Sequence, residues 1–440
     1  MILFGDLFLM RCDGLSKIMV ALIIFVSLNV LMFTNTYLVG DRRRKSVLFH
    51  LSLLTCTLVA VTLVDNIFTF VGFWLTSNLI LARLIMHNKA WAAAKASGRI
   101  AQKNFILGAL FFLCASILLF NQTGTTSIQE IIHTPLQNKI TLISALLITL
   151  TAFTQSGLIP FDGWLKSSLN SPTVVSAFMH AGIINGGGFL LVRFAPLITQ
   201  EKSILYFLVI GGTITAIAGT FWKLIQSDVK RMLVFSTVAQ MGFMVVECGL
   251  GLFPVAVAHL VWHGLFKAHL FLISSTISKQ KRVLLPSPDI RQFFIATTLG
   301  LIGTTFYWEI VSEEALSANS HLFMCVCVFV FLSQTALTSL AFFSFRAVVK
   351  ALGLVILFAT SYGYTVDFIE HFVSFSSPQP LNIFHYFILT VFIALWLGKT
   401  FSHLLPKINR NLWPRIYMFF LNSGQPKPET ITSQHQDYHC

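Results

Sequence analysis

The chain has 440 residues, of which 55% are hydrophobic and only 11% are charged, and its formal net charge is +13. A soluble domain is about one-quarter charged, so this composition excludes an ordinary water-soluble protein and indicates a polytopic helical membrane protein. The sequence shows no phosphate-binding loop, no nucleophile–histidine–acid motif and no cofactor fingerprint. We therefore expect that the chain is not itself an enzyme and holds no cofactor.

Hydrophobic runs of about 18 or more residues recur along the chain, and each is long enough to cross a bilayer. The predicted fold is all-α, with about thirteen transmembrane helices. The predicted spans are residues 17–39, 46–64, 66–86, 105–121, 138–170, 173–196, 203–224, 231–249, 254–277, 292–312, 321–342, 347–365 and 382–402. We expect residues 1–420 to form one membrane domain and residues 421–440 to form a polar cytoplasmic tail without fixed structure. Asp6 and Arg11 interrupt the first apolar residues, so we expect no cleavable signal peptide.

The positive charge lies in short loops that alternate along the chain with polar or acidic ones. The basic segments are residues 42–45, 89–103, 228–231, 279–282, 346–350 and 399–427. An even number of spans, two or four, separates each basic segment from the next, as the positive-inside rule requires for cytoplasmic loops. The pattern predicts a multi-pass membrane protein, with the N-terminus outside and the C-terminus in the cytoplasm. The charge thus orients the protein in membrane lipid, and it implies no nucleic-acid partner.

The predicted span 138–170 is too long for one straight helix. It contains Pro160 after a Gln-Ser-Gly cluster, and proline removes a helical hydrogen-bond donor, so we expect a broken helix there. Broken helices with irregular backbone at membrane depth mark ion and substrate sites in transporters. Asp162 and His180 follow closely and favour such a site. The alternative is a proline kink that serves helix packing alone.

The stretch AHLVWHGLFKAHLFLI, residues 258–273, carries ionisable side chains within an apolar helix. Each ionisable group at bilayer depth costs about 2.5–3.5 kcal/mol on insertion scales, so such groups are functional candidates. His259, His263 and Lys267 follow one another at spacings of four, which places them along one helical face with a drift of about 40° per step. Imidazoles titrate near neutrality, and a lysine in a dry bundle can lose and regain its proton, so the pattern indicates a proton path. His269 points elsewhere on the helix.

Two other interpretations of these histidines remain open. A spacing of four suits two zinc ligands on a helix, but the sequence HLVWH lacks the glutamate of a zinc peptidase, and Lys267 would repel a cation unless it were neutral. Alternatively, the histidines serve packing with satisfied hydrogen bonds. A separate stretch, SDVKRMLVFSTVAQMG, places Asp228 and Lys230 at the cytoplasmic start of a span, which by itself indicates a boundary loop and a helix-packing face.

Three motifs in this order carry a resemblance to a known family: SGLIPFDGWLKSSLNSPTVVSAFMHAG, DVKRMLVFSTVAQMGFM and AHLVWHGLFKAHLFL. They resemble the antiporter-like subunits of respiratory complex I (chain 5 or subunit L) and of Mrp cation/proton antiporters, and the resemblance covers residues 11–315. Within that superfamily CDGLSKIM, YLVGD and HAGIINGGGFLLVRFAPL are most similar to the short DabB (MpsA-like) branch. The sequence begins about two helices later than the complex I subunit and stops without its long lateral helix, as we expect for the same branch.

The resemblance implies two inverted five-helix repeats, each with a broken helix, the first at residues 155–160 and the second near 303–315. It implies that protons pass along charged and polar residues near the membrane midplane. Three positions depart from the complex I pattern, because Gln155 and Ser312 stand where lysines are expected and Leu75 where a glutamate is expected. A rewired or simplified path is therefore expected. The candidate proton-path residues are Lys267, His263, His259, His180, Gln155, Asp162, Glu247, Lys230, Asp228, Glu309 and Glu313.

The resemblance also implies a function and a partner. The chain is expected to be the proton-conducting subunit of a two-component complex of the bacterial inner membrane that accumulates inorganic carbon (CO2/bicarbonate). Its partner would be a large zinc-binding, carbonic-anhydrase-like (DabA-like) subunit, with the zinc on that partner. The alternatives are a cation/proton antiporter subunit of Mrp or complex I type, and a structural membrane anchor whose proton path has degenerated. Glu309 and Glu313 could equally be solvated at a span end, and Lys223 could reach the cytoplasmic surface.

Overall fold

The computed structural model describes residues 10–88, 90–134, 137–277, 286–315, 320–373, 380–402 and 412–431. Thirteen helices within these residues are long and apolar enough to cross a membrane, and the described chain contains no named strand. The predicted all-α, polytopic architecture is therefore confirmed. By backbone contacts the chain divides into two compact units, the first formed by Met1–Gly249, His259–Lys279 and Phe420–Cys440, and the second by Leu250–Ala258 and Gln280–Phe419.

The helices follow the predicted spans closely. They are α1 (Gly14–Tyr37), α2 (Arg44–Leu63), α3 (Ile67–Ile85), α4 (Ala92–Thr123), α5 (Ile128–His133), α6 (Asn138–Ser156), α7 (Gly163–Lys166), α8 (Thr173–Phe178), α9 (Gly186–Arg193), α10 (Ala195–Ile198), α11 (Lys202–Leu224), α12 (Val229–Gly249), α13 (Phe253–Ile277), α14 (Ile290–Ala315), α15 (Ser320–Ser339), α16 (Phe345–Phe372), α17 (Ile383–Thr400) and α18 (Leu412–Ser423). The largest departure is α4, which begins thirteen residues before the predicted span 105–121. Its basic first turns expose Lys95, Arg99 and Lys103 along one face, so this predicted loop is helical.

The predicted break after α6 is present. The helix ends at Ser156, and Gly157 adopts the left-handed conformation (φ 64°) that only glycine tolerates readily. The Ile159–Pro160 peptide bond is cis, and the chain becomes helical again in the short helix α7. The break thus combines a glycine C-cap with a proline that cannot continue the helix.

A second interruption, which the sequence did not predict, lies between α8 and α9. Residues Met179–Ile183 form a turn of π-helix in the middle of a membrane-spanning segment. Side chains at the end of α6 satisfy carbonyl groups of this region: Gln155 Nε2 donates to Ile183 O (3.1 Å), and Ser156 Oγ donates to Ile184 O (2.8 Å). The broken helix therefore supports the π-turn directly, and π-turns are frequent at functional sites.

The predicted break near residues 303–315 was wrong, because α14 runs without interruption from Ile290 to Ala315. Residues 303–315 contain no proline, and their one glycine, Gly303, lies in close packing. A Cβ on Gly303 would lie 2.4 Å from Val355 Cγ1 and 2.8 Å from Leu332 Cδ1 within the second unit. The inverted relation between two five-helix repeats stays a prediction.

The start of the predicted tail has a fixed structure where the sequence led us to expect none. Residues 420–431, here called the C-terminal strap, pack against the segment that follows the break. Lys166 Nζ donates to Ser423 O (3.0 Å), and Asn170 Nδ2 donates to Thr430 O (2.9 Å). Trp222 Nε1, at the end of α11, donates to Ser423 Oγ (2.9 Å). These bonds, together with the burial of Thr430, hold the strap across α7 and α11.

Candidate proton-transfer site

The candidate site is centred on the ionisable face of α13. Lys267 is fully buried, His263 is 3% exposed and His259 is half-buried, whereas His269 is exposed, as predicted for a residue on another face. Gly264 lets this helix approach the π-turn closely, since a Cβ there would lie 2.9 Å from Ala181 O. The spacing of four therefore places three ionisable groups inside the protein, next to irregular backbone.

The Glu247 side chain lies within hydrogen-bonding distance of His259. Its carboxylate, 1% exposed near the end of α12, lies 3.1 and 3.2 Å from His259 Nδ1. A carboxylate oxygen can only accept in this contact, so Nδ1 carries the hydrogen and Nε2 of a neutral ring keeps its lone pair. A buried carboxylate needs such a partner, because an uncompensated charge at this depth is costly.

Asn185 determines the tautomer of His263. Its Nδ2 donates to Ala181 O (2.9 Å) and to Leu260 O (3.2 Å), which fixes the amide so that Oδ1 faces His263 Nδ1 at 3.1 Å. Since Oδ1 is an acceptor, His263 Nδ1 carries the hydrogen. Nε2 is then the proton acceptor of the neutral ring, and it is buried without a hydrogen-bond partner among the described residues.

His180 and Lys267 complete the buried group. His180 lies in the π-turn, fully buried, with its ring stacked on Phe271 at a centroid distance of 4.3 Å. Neither of its ring nitrogens has a hydrogen-bond partner among the described residues. Lys267 Nζ makes a long bond to Leu233 O (3.4 Å) and interacts electrostatically with His180 and His263. These weakly paired nitrogen atoms can change protonation without breaking a strong local bond.

Gln155 occupies the broken helix in a neutral amide pair. It donates to Asn78 Oδ1 (3.0 Å) and accepts from Asn78 Nδ2 (2.8 Å), and both side chains are almost fully buried. Asn78 lies on α3 one turn after Trp74, whereas Leu75, at the position where a glutamate was expected, is half-buried. Through its bond to Ile183 O, Gln155 connects this pair to the π-turn.

The other candidates of the first unit are Asp162, Asp228 and Lys230. Asp162 pairs with Lys166 at 2.5 Å, and Lys166 also lies over the Trp222 ring. Asp228 is exposed and caps α12 by accepting from Arg231 N (2.8 Å), and Lys230 is half-buried. Glu309 is exposed on α14, and the side chain of Glu313 lies outside the described residues. The structure thus brings together Glu247, His259, His263, Lys267 and His180, with Gln155 joined through the π-turn.

Sequence reasoning missed the two buried asparagines, Asn78 and Asn185. The only signal for either is an amide inside an apolar run, and this does not reveal its partner. Lys166 was missed as the partner of Asp162, although the spacing of four on one short helix was a usable signal.

The family model of the NADH:quinone oxidoreductase/Mrp antiporter transmembrane region matches residues 64–301, more than half of the chain. The chain belongs to this family. All of the buried groups described above, from Asn78 to Lys267, lie within the matched region. The chain is therefore a multi-pass membrane protein, and its candidate site lies in the part that defines the family.

Several relatives share this region. The chain is 34% identical over 282 residues to "Probable inorganic carbon transporter subunit DabB1" of Halothiobacillus neapolitanus, covering 61% of this chain and 50% of the relative. It is 31% identical to the DabB relative of Bacillus anthracis, with 71% and 62% covered, and 30% identical to NADH-quinone oxidoreductase subunit L of Pseudomonas aeruginosa, with 62% and 46% covered. The chain thus spans about half to two-thirds of the length of these relatives.

A solved structure shows the same fold. The Mrp complex from Dietzia sp. DQ12-45-1b contains a chain that matches this one with a TM-score of 0.56 at 19% identity, covering 94% of this chain and 44% of that one. The antiporter-like fold expected from the sequence is confirmed.

Proposed function

We propose that the chain is the proton-conducting membrane subunit of a two-component complex that accumulates inorganic carbon. The observation that carries the proposal is the buried line of ionisable side chains, Glu247, His259, His263 and Lys267, next to a broken helix and a π-turn. Family membership and the similarity to DabB relatives support this assignment. Buried ionisable groups within spanning helices are characteristic of proton relays.

The proton would move between groups whose protonation sites follow from their hydrogen bonds. His263 would accept a proton at Nε2, while Asn185 Oδ1 keeps accepting from Nδ1 and so holds the ring in place. The proton would then pass to the amine of Lys267, one turn along α13, or back towards His259. The rings of His259 and His263 have centroids 6.2 Å apart, a separation that one bridging water molecule can span. The Glu247 carboxylate would stabilise the imidazolium form of His259.

The hydration chemistry would belong to the partner subunit. A zinc ion held there would supply the hydration of CO2 to bicarbonate, a reaction that releases one proton. Within the described residues of this chain, no group of three or more His, Cys, Asp or Glu side chains is arranged to hold a metal ion. Similarity to the DabB relatives supports a large zinc-binding, carbonic-anhydrase-like (DabA-like) partner, which this chain would supply with the energy of the proton gradient.

The proposal is tested by complementation of a bacterium that lacks carbonic anhydrase. This chain and its DabA-like partner, expressed together, should restore growth in air, and a protonophore should abolish the rescue. His263→Ala and Lys267→Ala should fail to rescue although the complex still assembles, whereas His269→Ala, on an exposed face of the same helix, should rescue normally. Rescue by assembled Lys267→Ala complexes at the wild-type level would favour a structural anchor. Restored growth of a Na+-sensitive strain without rescue in air would favour an Mrp-type antiporter.

A further inference from the structure

A pocket of about 270 Å3 lies where the loop before α2 meets the end of α3. Four basic side chains line it: Arg43 and His50 from the α2 side, and Arg83 and His87 from the α3 side. Its lining residues include no aspartate or glutamate. The basic groups come from two separate stretches of the chain, so their convergence is a property of the fold rather than of one charged loop.

Hydrogen bonds hold the walls of the pocket in place. Arg43 Nη2 donates to Asn88 Oδ1 (3.1 Å), and the same oxygen accepts from Ala90 N (3.1 Å), so the guanidinium group is anchored to the turn after α3. His50 Nδ1 donates to Ser46 O (2.7 Å), which leaves the ring's other nitrogen free of this bond. Asn88 is 8% exposed, whereas the guanidinium it holds is half-buried at the pocket edge. The pocket is therefore a preformed basic concavity.

The positive charge of the pocket is only partly compensated. Arg83 is exposed, and it has no hydrogen-bond or ion-pair partner among the described residues. The nearby carboxylate of Asp41 accepts from Arg43 N (2.7 Å). Burial lowers the pKa of the His87 imidazole, and the charges of Arg43 and Lys230 lower it further, against the opposing effect of Asp41 and of the bond to Ile85 O. An anion in the pocket would relieve this repulsion.

We propose that the pocket binds the phosphate headgroup of an anionic phospholipid, in the leaflet that the positive-inside rule assigns to the cytoplasm. Guanidinium groups bind phosphate oxygens through paired, charge-assisted hydrogen bonds. Basic pockets between spanning helices at this membrane face are suited to acidic headgroups. Phe49 and Leu53, 64% and 40% exposed, continue along α2 from the pocket and offer acyl chains an apolar surface. The pocket is also larger than a single bicarbonate or phosphate ion would fill.

The binding is tested by native mass spectrometry of the purified protein with added phosphatidylglycerol or phosphatidylcholine. The wild-type protein should retain one phosphatidylglycerol molecule selectively, and the Arg43→Gln/Arg83→Gln variant should bind it about 30-fold more weakly, because two cationic contacts are lost. Arg42→Gln/Lys45→Gln removes the same charge from exposed positions in the same loop and should bind as the wild type does. Equal unfolding midpoints in phosphatidylcholine would show that all three proteins are folded.

Two results would overturn the proposal. Equal loss of phosphatidylglycerol in the pocket variant and the loop variant would show that only the general charge of this face attracts lipid. Stabilisation of lipid-free protein by inorganic phosphate or bicarbonate, to the same extent as by phosphatidylglycerol, would assign the pocket to a free oxyanion. The test does not use proton transport, so its outcome is independent of the proposed function.

Discussion

Asn185 is the residue on which the proposed chemistry of His263 depends. Its amide nitrogen donates hydrogen bonds to two backbone carbonyls, so only its oxygen can face the imidazole. One neutral side chain therefore sets which ring nitrogen accepts a proton. This role resembles that of the groups that orient metal-bound or catalytic histidines, which act by fixing a tautomer rather than by reacting.

Replacing Asn185 should slow proton transfer without disrupting the fold. In Asn185→Ala the His263 ring loses its fixed orientation, so we expect proton uptake into proteoliposomes to fall on the order of 10- to 100-fold. Asn29→Ala, which removes an exposed asparagine bonded only to its own helix, is the matched control and should leave uptake unchanged. Wild-type uptake by Asn185→Ala would show that the ring needs no orienting partner.

The Asn78–Gln155 amide pair allows the cost of a buried charge at the broken helix to be measured. Gln155→Lys alone would place a cation opposite a neutral amide, and we expect it to lower the free energy of unfolding by about 3–5 kcal/mol. Adding Asn78→Asp supplies a facing carboxylate and should recover most of that loss. Unfolding of the four proteins in detergent gives a double-mutant cycle. Additive effects of the two changes would contradict the contact between these side chains.

At the scale of elements, the C-terminal strap departs most from expectation, because the sequence predicted a tail without fixed structure there. It bonds to the segment after the break and to the end of α11, so the break is supported from both sides, by the π-turn and by the strap. Irregular backbone in a membrane protein persists only when neighbouring groups satisfy it. The strap therefore contributes to the stability of the broken helix.

Deleting residues 420–440 should destabilise the protein, and deleting only residues 432–440 should not. The longer deletion removes the strap's hydrogen bonds to Lys166, Asn170 and Trp222, and at about 1 kcal/mol for each bond we expect a loss of about 2–4 kcal/mol. Thermal unfolding in detergent, followed by tryptophan fluorescence, measures the difference. Equal unfolding midpoints for the two deletions would show that the strap contributes nothing to stability.

A break in a helix could be predicted from the sequence only where a residue at the break has a known effect on the backbone. Gly157 and Pro160 mark the first break because each restricts or frees the backbone in a known way. The predicted break in α14 came from the resemblance alone, and no proline or left-handed glycine supported it. In the π-turn the helical hydrogen bonds shift by one residue, and no single residue of Met179–Ile183 predicts that shift.

The same distinction applies to the candidate site. His259, His263 and Lys267 were predicted because charged groups in an apolar helix are costly and their spacing is visible. Glu247 was a candidate for the same reason, but its pairing with His259 joins two different helices and needed the structure. Asn78 and Asn185 are neutral, and their contacts lie 77 and 78 positions away along the chain, where no spacing rule applies.

At the scale of the whole molecule, thirteen helices within the described residues are long and apolar enough to cross a membrane, and the net charge is +13. The alternation of basic segments along the chain predicts which side of the membrane each loop faces. The buried ionisable groups lie in the family-defining region, within the first unit. The central claim is that this line of groups carries protons in the assembled complex. We propose that the surface charge contributes to orientation and lipid binding, and that the few buried ionisable groups carry protons.

Proton uptake into proteoliposomes that contain this chain and the proposed DabA-like partner tests the claim most directly. With an imposed pH gradient and a pH-sensitive dye inside, the wild-type complex should conduct protons, and so should His269→Ala. Lys267→Ala and His263→Ala should reduce uptake to the level of empty vesicles while the complex remains assembled. Uptake at the wild-type rate in assembled Lys267→Ala and His263→Ala complexes would contradict the account.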